Sequence, residues 1–455
     1  MRIPLAAPSP YGRQLLTVLD QFEGSQWWSP EVLQRYQFDH LARLLAHAYE
    51  TVPFHRARLA DAGYRPGQAV TPEFWQQVPI LKRRDIQDQG DAFQSTRVPP
   101  EHGEVFKVNT SGSTATPLSV WRSELHAMIL EAIVLRKAIW QSCDFRLKLG
   151  AVIRDHKDGS FAPAGSHHSD WGRPAALAYE TGPAAVIDNR STGAEIADWL
   201  VRERPDYLNI VPKLLNDVCF EFLDRGLAPP PIKGIFVHAE IIGPDLRELA
   251  RRTFGLELFA SYGAREIGTI ALQCPQHQHY HVQAEAVLLE VLDEHGNPCA
   301  PGETGTVVIT PLHGYASPLI RYEIGDRAVV GPPCPCGRPH PVLRQVVGRT
   351  RDRVVLPSGM RRYCYFGGLA FWQFRDLRQF QIVQRSLYDL EVRLVARRRL
   401  TPEVEAEVAR RIKTATSEHF SVAFTYHDAI PLNPGGKFQD LVCEVDPADA
   451  PGVRP

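Results

Sequence analysis

Thr110-Ser111-Gly112-Ser113-Thr114-Ala115-Thr116-Pro117 lies between two short stretches that read as strands, residues 103–108 before it and 118–121 after it. Hydroxyl side chains, one glycine and a closing proline make a loop that offers backbone N–H and O–H donors to one anion. Glycine allows the backbone to come close, and the small side chains do not block it. The same composition also serves ordinary turns. It is not a Walker loop, because Gly-Lys-Ser/Thr does not close it. A strand, a loop of this kind and a second strand, followed by a helix opening at Ser123 and running through Ile133 to Trp140, suit an α/β layer.

Working outward, the chain before the loop reads as helical over residues 11–100. Ser29-Pro30-Glu31 supplies an N-cap, a first-turn proline and an acid. Leu33, Leu41, Leu44, Leu45 and Ala48 follow at helical spacing, and Trp27 and Trp28 are expected to pack under that helix. After the loop, strands and helices alternate. Strands are expected at 149–153, 184–187, 207–211, 235–237 and 256–262, with helices at 193–203, 212–225 and 244–253. This βαβ rhythm implies a parallel, helix-covered sheet, whose ligands sit at the carboxyl ends of its strands. Ser166-His167-His168-Ser169-Asp170 reads as surface loop, with a substrate-facing histidine as the alternative.

Three strand ends carry chemistry. They are His238-Ala239-Glu240, Ser261-Tyr262-Gly263-Ala264-Arg265-Glu266, and Tyr322-Glu323-Ile324-Gly325-Asp326. A tyrosine offers a flat face for a base, a glutamate a hard oxygen for Mg²⁺, and an aspartate an acceptor for ribose hydroxyls.

Taken in order, these pieces resemble the adenylate-forming (acyl-CoA synthetase/ligase) superfamily, and within it the phenylacetate–CoA ligase family. Gly348-Arg349-Thr350-Arg351-Asp352 looks like the hinge motif, and Asn433-Pro434-Gly435-Gly436-Lys437-Phe438 like the catalytic-lysine motif. Pro318-Leu319-Ile320-Arg321-Tyr322, Cys334-Pro335-Cys336-Gly337-Arg338 and Val52-Pro53-Phe54-His55-Arg56 are similar to the phenylacetate ligase branch.

The resemblance implies roles residue by residue. Thr110, Ser111, Gly112, Ser113 and Thr114 hold the ATP phosphates. Ala239, Glu240, Ser261, Tyr262 and Gly263 form the adenine site, Glu266 ligates Mg²⁺, and Asp326 and Arg349 contact ribose. Lys437 reaches the carboxylate and α-phosphate. Ala115 and Thr116 stand where the family carries glycine and often lysine, and Arg265 replaces the usual Ser/Thr. Arg265 is therefore expected to restore the missing phosphate charge and act with Lys437 and Glu266 in catalysis. Arg351 also departs from the hinge pattern.

The cysteines give a second expectation. Eight in 455 residues are too few for a disulfide scaffold, so they are thiols or metal ligands. Cys274, Cys334 and Cys336 with one of His277, His279 and His281 make a closed Cys₃His zinc site, and His281 aligns best with the set in relatives.

A net charge of −1 gives no reason to expect nucleic acid or an anionic membrane as partner. Prolines interrupt the first ten residues and no apolar run reaches spanning length, so a cytoplasmic protein is expected. The fold class is α/β: a large N-terminal adenylate-forming domain over 1–348, helical over 1–100 with an α/β core over 101–348, and a small mobile α+β lid over 349–455. The implied activity is an ATP- and Mg²⁺-dependent joining of a small carboxylic acid, aryl or arylacetic, to CoA through an acyl-adenylate. One alternative passes the acyl group to an amine, a carrier protein or another small nucleophile. A second is a catalytically inactive zinc-containing nucleotide-binding protein. Monomer and homodimer both fit.

Overall fold

The computed structural model describes residues 9–109, 118–154, 159–238, 242–349, 353–364, 374, 376–431 and 439–445. The helical front comprises α1 (Pro10–Ser25), α2 (Pro30–Thr51), α3 (Pro53–Asp61), α4 (Pro72–Gln77) and α5 (Arg83–Gln89). Ser29 caps α2 as its sequence suggests, its hydroxyl accepting from the Val32 N–H at 3.4 Å. Leu41, Leu44, Leu45 and Ala48 are fully buried against Leu59, Trp75, Leu312 and Ile320. Trp28 meets α2, its ring 5.6 Å from that of Tyr36, but neither tryptophan is buried under the helix. They stand 55% and 37% exposed on the turn after α1, where Arg338 covers one face of Trp27.

Strands β1 (Val105–Asn109) and β2 (Ser119–Ser123) pair antiparallel around the hydroxyl-rich loop, which itself lies outside the described residues. Ser123 then caps α6 (Glu124–Trp140). The rest of the large region alternates: β3 (Leu149–Ile153), β4 (Ser166–His168), α7 (Ala175–Ala178), β5 (Ala184–Asp188), α8 (Gly193–Glu203), β6 (Tyr207–Ile210), α9 (Pro212–Arg225), β7 (Gly234–Val237) and α10 (Pro244–Phe254). It continues as strands only: β8 (Leu258–Ala264), β9 (Gly268–Gln273), β10 (Tyr280–Val282), β11 (Val287–Leu292), β12 (Thr304–Pro311), β13 (Tyr322–Val330) and β14 (Val342–Arg349).

All but β1 and β2 join one twelve-stranded sheet ordered β11-β12-β13-β14-β10-β9-β8-β7-β6-β3-β5-β4. Strands β5, β3, β6, β7 and β8 run parallel, as the βαβ rhythm requires. From β8 through β9 the sheet turns antiparallel, because a hairpin replaces the crossover helix. The two histidines read as surface loop form an edge strand instead, β4 pairing antiparallel with β5. His167 Nε2 lies 2.9 Å from Glu203 and is thereby tied to α8.

The last part of the chain surrounds its own core of Val354, Ile382, Val392, Leu394, Val408, Ile412 and Phe420. Strands β15 (Arg353–Val355) and β16 (Arg361–Tyr363) precede a mixed sheet ordered β19-β18-β17-β20, made of β17 (Leu377–Gln384), β18 (Asp389–Ala396), β19 (Ser421–Tyr426) and β20 (Leu441–Cys443). Helix α11 (Pro402–Ala415) buries Val408 and Ile412 on it. This unit touches α9 through polar contacts. Arg397 lies 3.1 Å from Asp224, Arg378 also pairs with Asp224, and Asn216 donates to the Arg378 carbonyl at 3.4 Å. No helix among the described residues is long and apolar enough to cross a membrane.

Candidate active site

The β8–β9 hairpin is shaped by two glycines. A Cβ on Gly263 would stand 2.6 Å from the Gly268 carbonyl oxygen, so only glycine lets the strands close. Gly268 holds φ +101 against the Leu130 side chain. Between them Arg265 and Glu266 are presented on a tight turn at the carboxyl end of the parallel strands.

This turn meets the start of β13. Tyr262 is buried, and its phenol donates to Asp326 Oδ2 at 2.8 Å. Asp326 faces Arg349 in register across β13 and β14. The Tyr322 phenol donates to Glu266 Oε1 at 3.4 Å, and the Arg83 guanidinium stands 3.8 Å from the same oxygen. Burial, and next the Glu266 charge, raise the Tyr322 phenol far above its ordinary range, so it stays a donor. From β2, Arg122 donates to the Arg265 carbonyl at 3.0 Å, which ties the strand leaving the hydroxyl-rich loop to this turn.

The helical front braces the same corner. Leu81 exchanges backbone hydrogen bonds with Arg321 and Glu323 at 2.9 Å each, and Lys82 pairs with Glu323. His55 lies 2.7 Å from the Pro318 carbonyl, so two stretches that separately resemble one family branch are in contact. Arg321 is clamped by Glu290 at 2.8 Å and by the Val78 carbonyl at 2.6 Å.

The structure thus brings Tyr262, Glu266, Asp326 and the backbone of Arg349 together. Ser261 and Gly263 flank Tyr262 on β8, and the Arg265 side chain is exposed on the turn. Thr110 to Thr114, Ala239, Glu240, residues 350–352, Lys437 and the Arg349 side chain lie outside the described residues. Arg83 was not legible as a site residue. Within Lys82-Arg83-Arg84 it reads as helix surface, and only the tertiary contact with Glu266 singles it out.

A second cluster gathers around the β9–β10 connection and the stretch after β13. One ligand atom from each of Cys274, His279, His281 and Cys334 falls within 4.8 Å of the others. The two thiols are 3.8 Å apart, and His279 Nε2 is 3.0 Å from Cys334 Sγ. Cys336 Sγ is 3.4 Å from His281 Nε2, and the Cys336 N–H points at Cys334 Sγ. The ligand edges of a tetrahedral thiolate–imidazole zinc site measure about 3.3–3.8 Å. Of the expected set, Cys274, His281 and Cys334 gather, with His279 in the place expected for Cys336, which touches the group at His281 and Cys334.

No family model matches the chain. It is similar to the phenylacetate-coenzyme A ligase of Thermus thermophilus, 27% identical over 338 residues, with 72% of each chain covered. The enzyme of the same name from Pseudomonas putida is 24% identical over 344 residues, covering 72% of this chain and 73% of its own. Among solved structures, a 2-hydroxyisobutyryl-CoA ligase holding its acyl-adenylate in a postadenylation state superposes with a TM-score of 0.70 at 19% identity. That match covers 90% of this chain and 89% of the other.

Proposed function

We infer that the chain belongs to the adenylate-forming superfamily, on its phenylacetate–CoA ligase branch, and that it is an AMP-forming acid–thiol ligase. It joins a small carboxylic acid to AMP from ATP, releasing pyrophosphate, and then passes the acyl group to CoA. The observation that carries this reading is the junction of three distant motifs at one corner. Tyr262 is bonded to Asp326, Asp326 sits opposite Arg349, and Glu266 lies beside Tyr322 and Arg83. Each motif alone has an ordinary structural use, whereas their convergence at the carboxyl end of a parallel sheet matches a nucleotide site.

In this reading Tyr262 packs on the adenine while its hydroxyl fixes Asp326 for the ribose hydroxyls. Glu266, held through Oε1 by Tyr322 and near Arg83, would be the carboxylate that holds Mg²⁺, which would supply charge neutralisation on the phosphates. Attack by a carboxylate on the α-phosphorus brings two anions together, and no base is needed because the nucleophile is already ionised. Lys437, Arg265 and the loop from Thr110 to Thr114 provide the remaining donors. The unit from residue 353 onward acts as the lid that carries Lys437, and its polar seam with α9 suits a movable contact. The Cys274–His279–His281–Cys334 cluster holds a structural Zn²⁺, with Cys336 competing for the fourth place. The donor set fits in kind, since two thiols and two imidazoles converge within 4.8 Å of one another, the thiols at 3.8 Å. The enzyme works in the cytoplasm, where ATP and CoA are found.

The test is ATP–pyrophosphate exchange over aryl, arylacetic and aliphatic acids, followed by addition of CoA. Exchange that depends on one acid class, with a thioester appearing only with CoA, is expected. Exchange without thioester would move the acceptor to another nucleophile.

A further inference from the structure

Three neighbouring strands set one wall beside the reacting corner. Asn209 on β6 pairs in register with Phe236 on β7, and Phe236 pairs with Phe259 on β8. Residues paired in register point to the same face of a sheet. The Phe236 and Phe259 rings meet at 5.6 Å, which fixes that face as aromatic. Helix α6 crosses it and lays Lys137 Nζ 5.1 Å from the Phe236 ring centre. His238 follows Phe236 by two positions, just past the end of β7, and feels the Lys137 charge.

One polar group here lacks a hydrogen-bond partner among the described residues, and a second lacks a carboxylate. Asn209 Oδ1 is wholly buried and accepts no hydrogen bond among the described residues. Lys137 is half-buried on α6, where desolvation lowers its ammonium to about 8 against a smaller opposing effect of Cys143, and no described carboxylate pairs with it. A desolvated ammonium over an aromatic ring, without a carboxylate, is less favourable than one paired with an acceptor. Asn209 is near the carboxyl end of β6, and Lys137 Nζ reaches from α6 to Phe236 near that of β7, the side where such sheets bind their substrates. Their chemistry restricts the occupant. An ammonium only donates, and an amide oxygen only accepts. A second carboxylate would satisfy Lys137 but oppose Asn209 Oδ1, and an amine would do the reverse. A hydroxyl accepts from one and donates to the other. The aromatic wall adds a flat surface for the ring that carries it.

We propose that the acyl pocket selects an aryl acid bearing a ring hydroxyl, held between Lys137 and Asn209 over the Phe236–Phe259 wall. This rests on the ligase reading above and narrows its substrate class.

The experiment compares kcat/KM for exchange with benzoic and phenylacetic acids, their 2-, 3- and 4-hydroxy derivatives, and the matching methoxy acids. A site built to hydrogen-bond a hydroxyl rejects the analogue lacking it, so one hydroxy isomer is expected to exceed its parent by at least about 100-fold. The methoxy acid, which accepts but cannot donate, should fall well below the hydroxy acid in the unmodified protein. Lys137→Met and Asn209→Leu should each lower the hydroxy-to-parent ratio by about tenfold or more. The methoxy comparison needs no variant and decides the matter if either substitution prevents folding. Equal use of parent and hydroxy acids, or an unchanged ratio in folded variants, overturns the proposal and leaves the ligase reading standing. No exchange with any acid overturns both.

Discussion

The Tyr262 phenol donates to the Asp326 carboxylate at 2.8 Å, across 64 residues of chain. One residue comes from the β8 end and the other from β13, so the bond would join the base-facing and sugar-facing sides of the proposed nucleotide site. Removing it should loosen both. Tyr262→Phe keeps the ring and is expected to weaken ATP binding about tenfold, as the loss of a hydrogen bond to a charged group does. Asp326→Asn should weaken it at least as much. In a double-mutant cycle by calorimetry the two losses should not add. Additive losses would mean that the two side chains act separately.

Glu266 and Arg83 give a prediction of opposite signs. The guanidinium stands 3.8 Å from the oxygen that also receives Tyr322. Glu266→Gln removes the anionic ligand and should lower turnover about 100-fold at saturating Mg²⁺. Arg83→Met removes a competing cation, so the Mg²⁺ concentration giving half-maximal rate should fall. A Mg²⁺ titration of initial rates reads both. A rise in the Mg²⁺ requirement of Arg83→Met would show that the arginine supports the site instead of competing with it.

The thiol–imidazole cluster predicts about one zinc per chain by elemental analysis. Cys274→Ser should abolish retention and lower the melting temperature by about 5 °C or more, because the proposed metal would tie β9 and β10 to the Cys334 knuckle. His279→Ala and Cys336→Ser separate the two possible ligand sets. The approach of His279 Nε2 to Cys334 Sγ at 3.0 Å predicts that His279→Ala loses more zinc.

Acid should destabilise the fold earlier than carboxylate protonation would. His55 and His313 are buried, and burial lowers both to about 3, although a backbone carbonyl at each partly opposes it. An unfolded histidine titrates near 6.5, so between about 6.5 and 3 the unfolded chain binds the extra protons. The stability these groups contribute is complete above about pH 6.5 and is lost as pH falls toward 3, at about 1.4 kcal/mol per pH unit for each histidine. Urea midpoints should therefore drop between pH 7 and pH 5. A flat profile over that interval would contradict the neutral burial of His55 and His313.

Much of this was legible from local signals. Ser29 and Ser123 cap their helices, and the alternation from 149 to 262 gives the parallel strands. The motif residues Tyr262, Glu266 and Asp326 could be named because their types and order carry the resemblance. What sequence could not provide is contact over long separation. Arg83 reaches Glu266 across 183 positions, and a lysine on the apolar helix α6 reads as a surface residue until its neighbour Phe236 is known. The His167–His168 pair became a strand because β5 offered an open edge, which no local pattern records. Trp28 does meet Tyr36 of α2, yet both tryptophans stay exposed, because hydrophobic type does not say which side of a turn faces the core.

The most direct test is a single turnover followed by mass spectrometry. Enzyme, ATP, Mg²⁺ and the preferred acid are mixed without CoA, quenched, and the bound products weighed. Acyl-AMP in stoichiometric amount, converted to acyl-CoA and AMP when CoA is added, is the predicted result. ATP recovered intact, or cleaved to ADP with no acyl-AMP, would contradict the account.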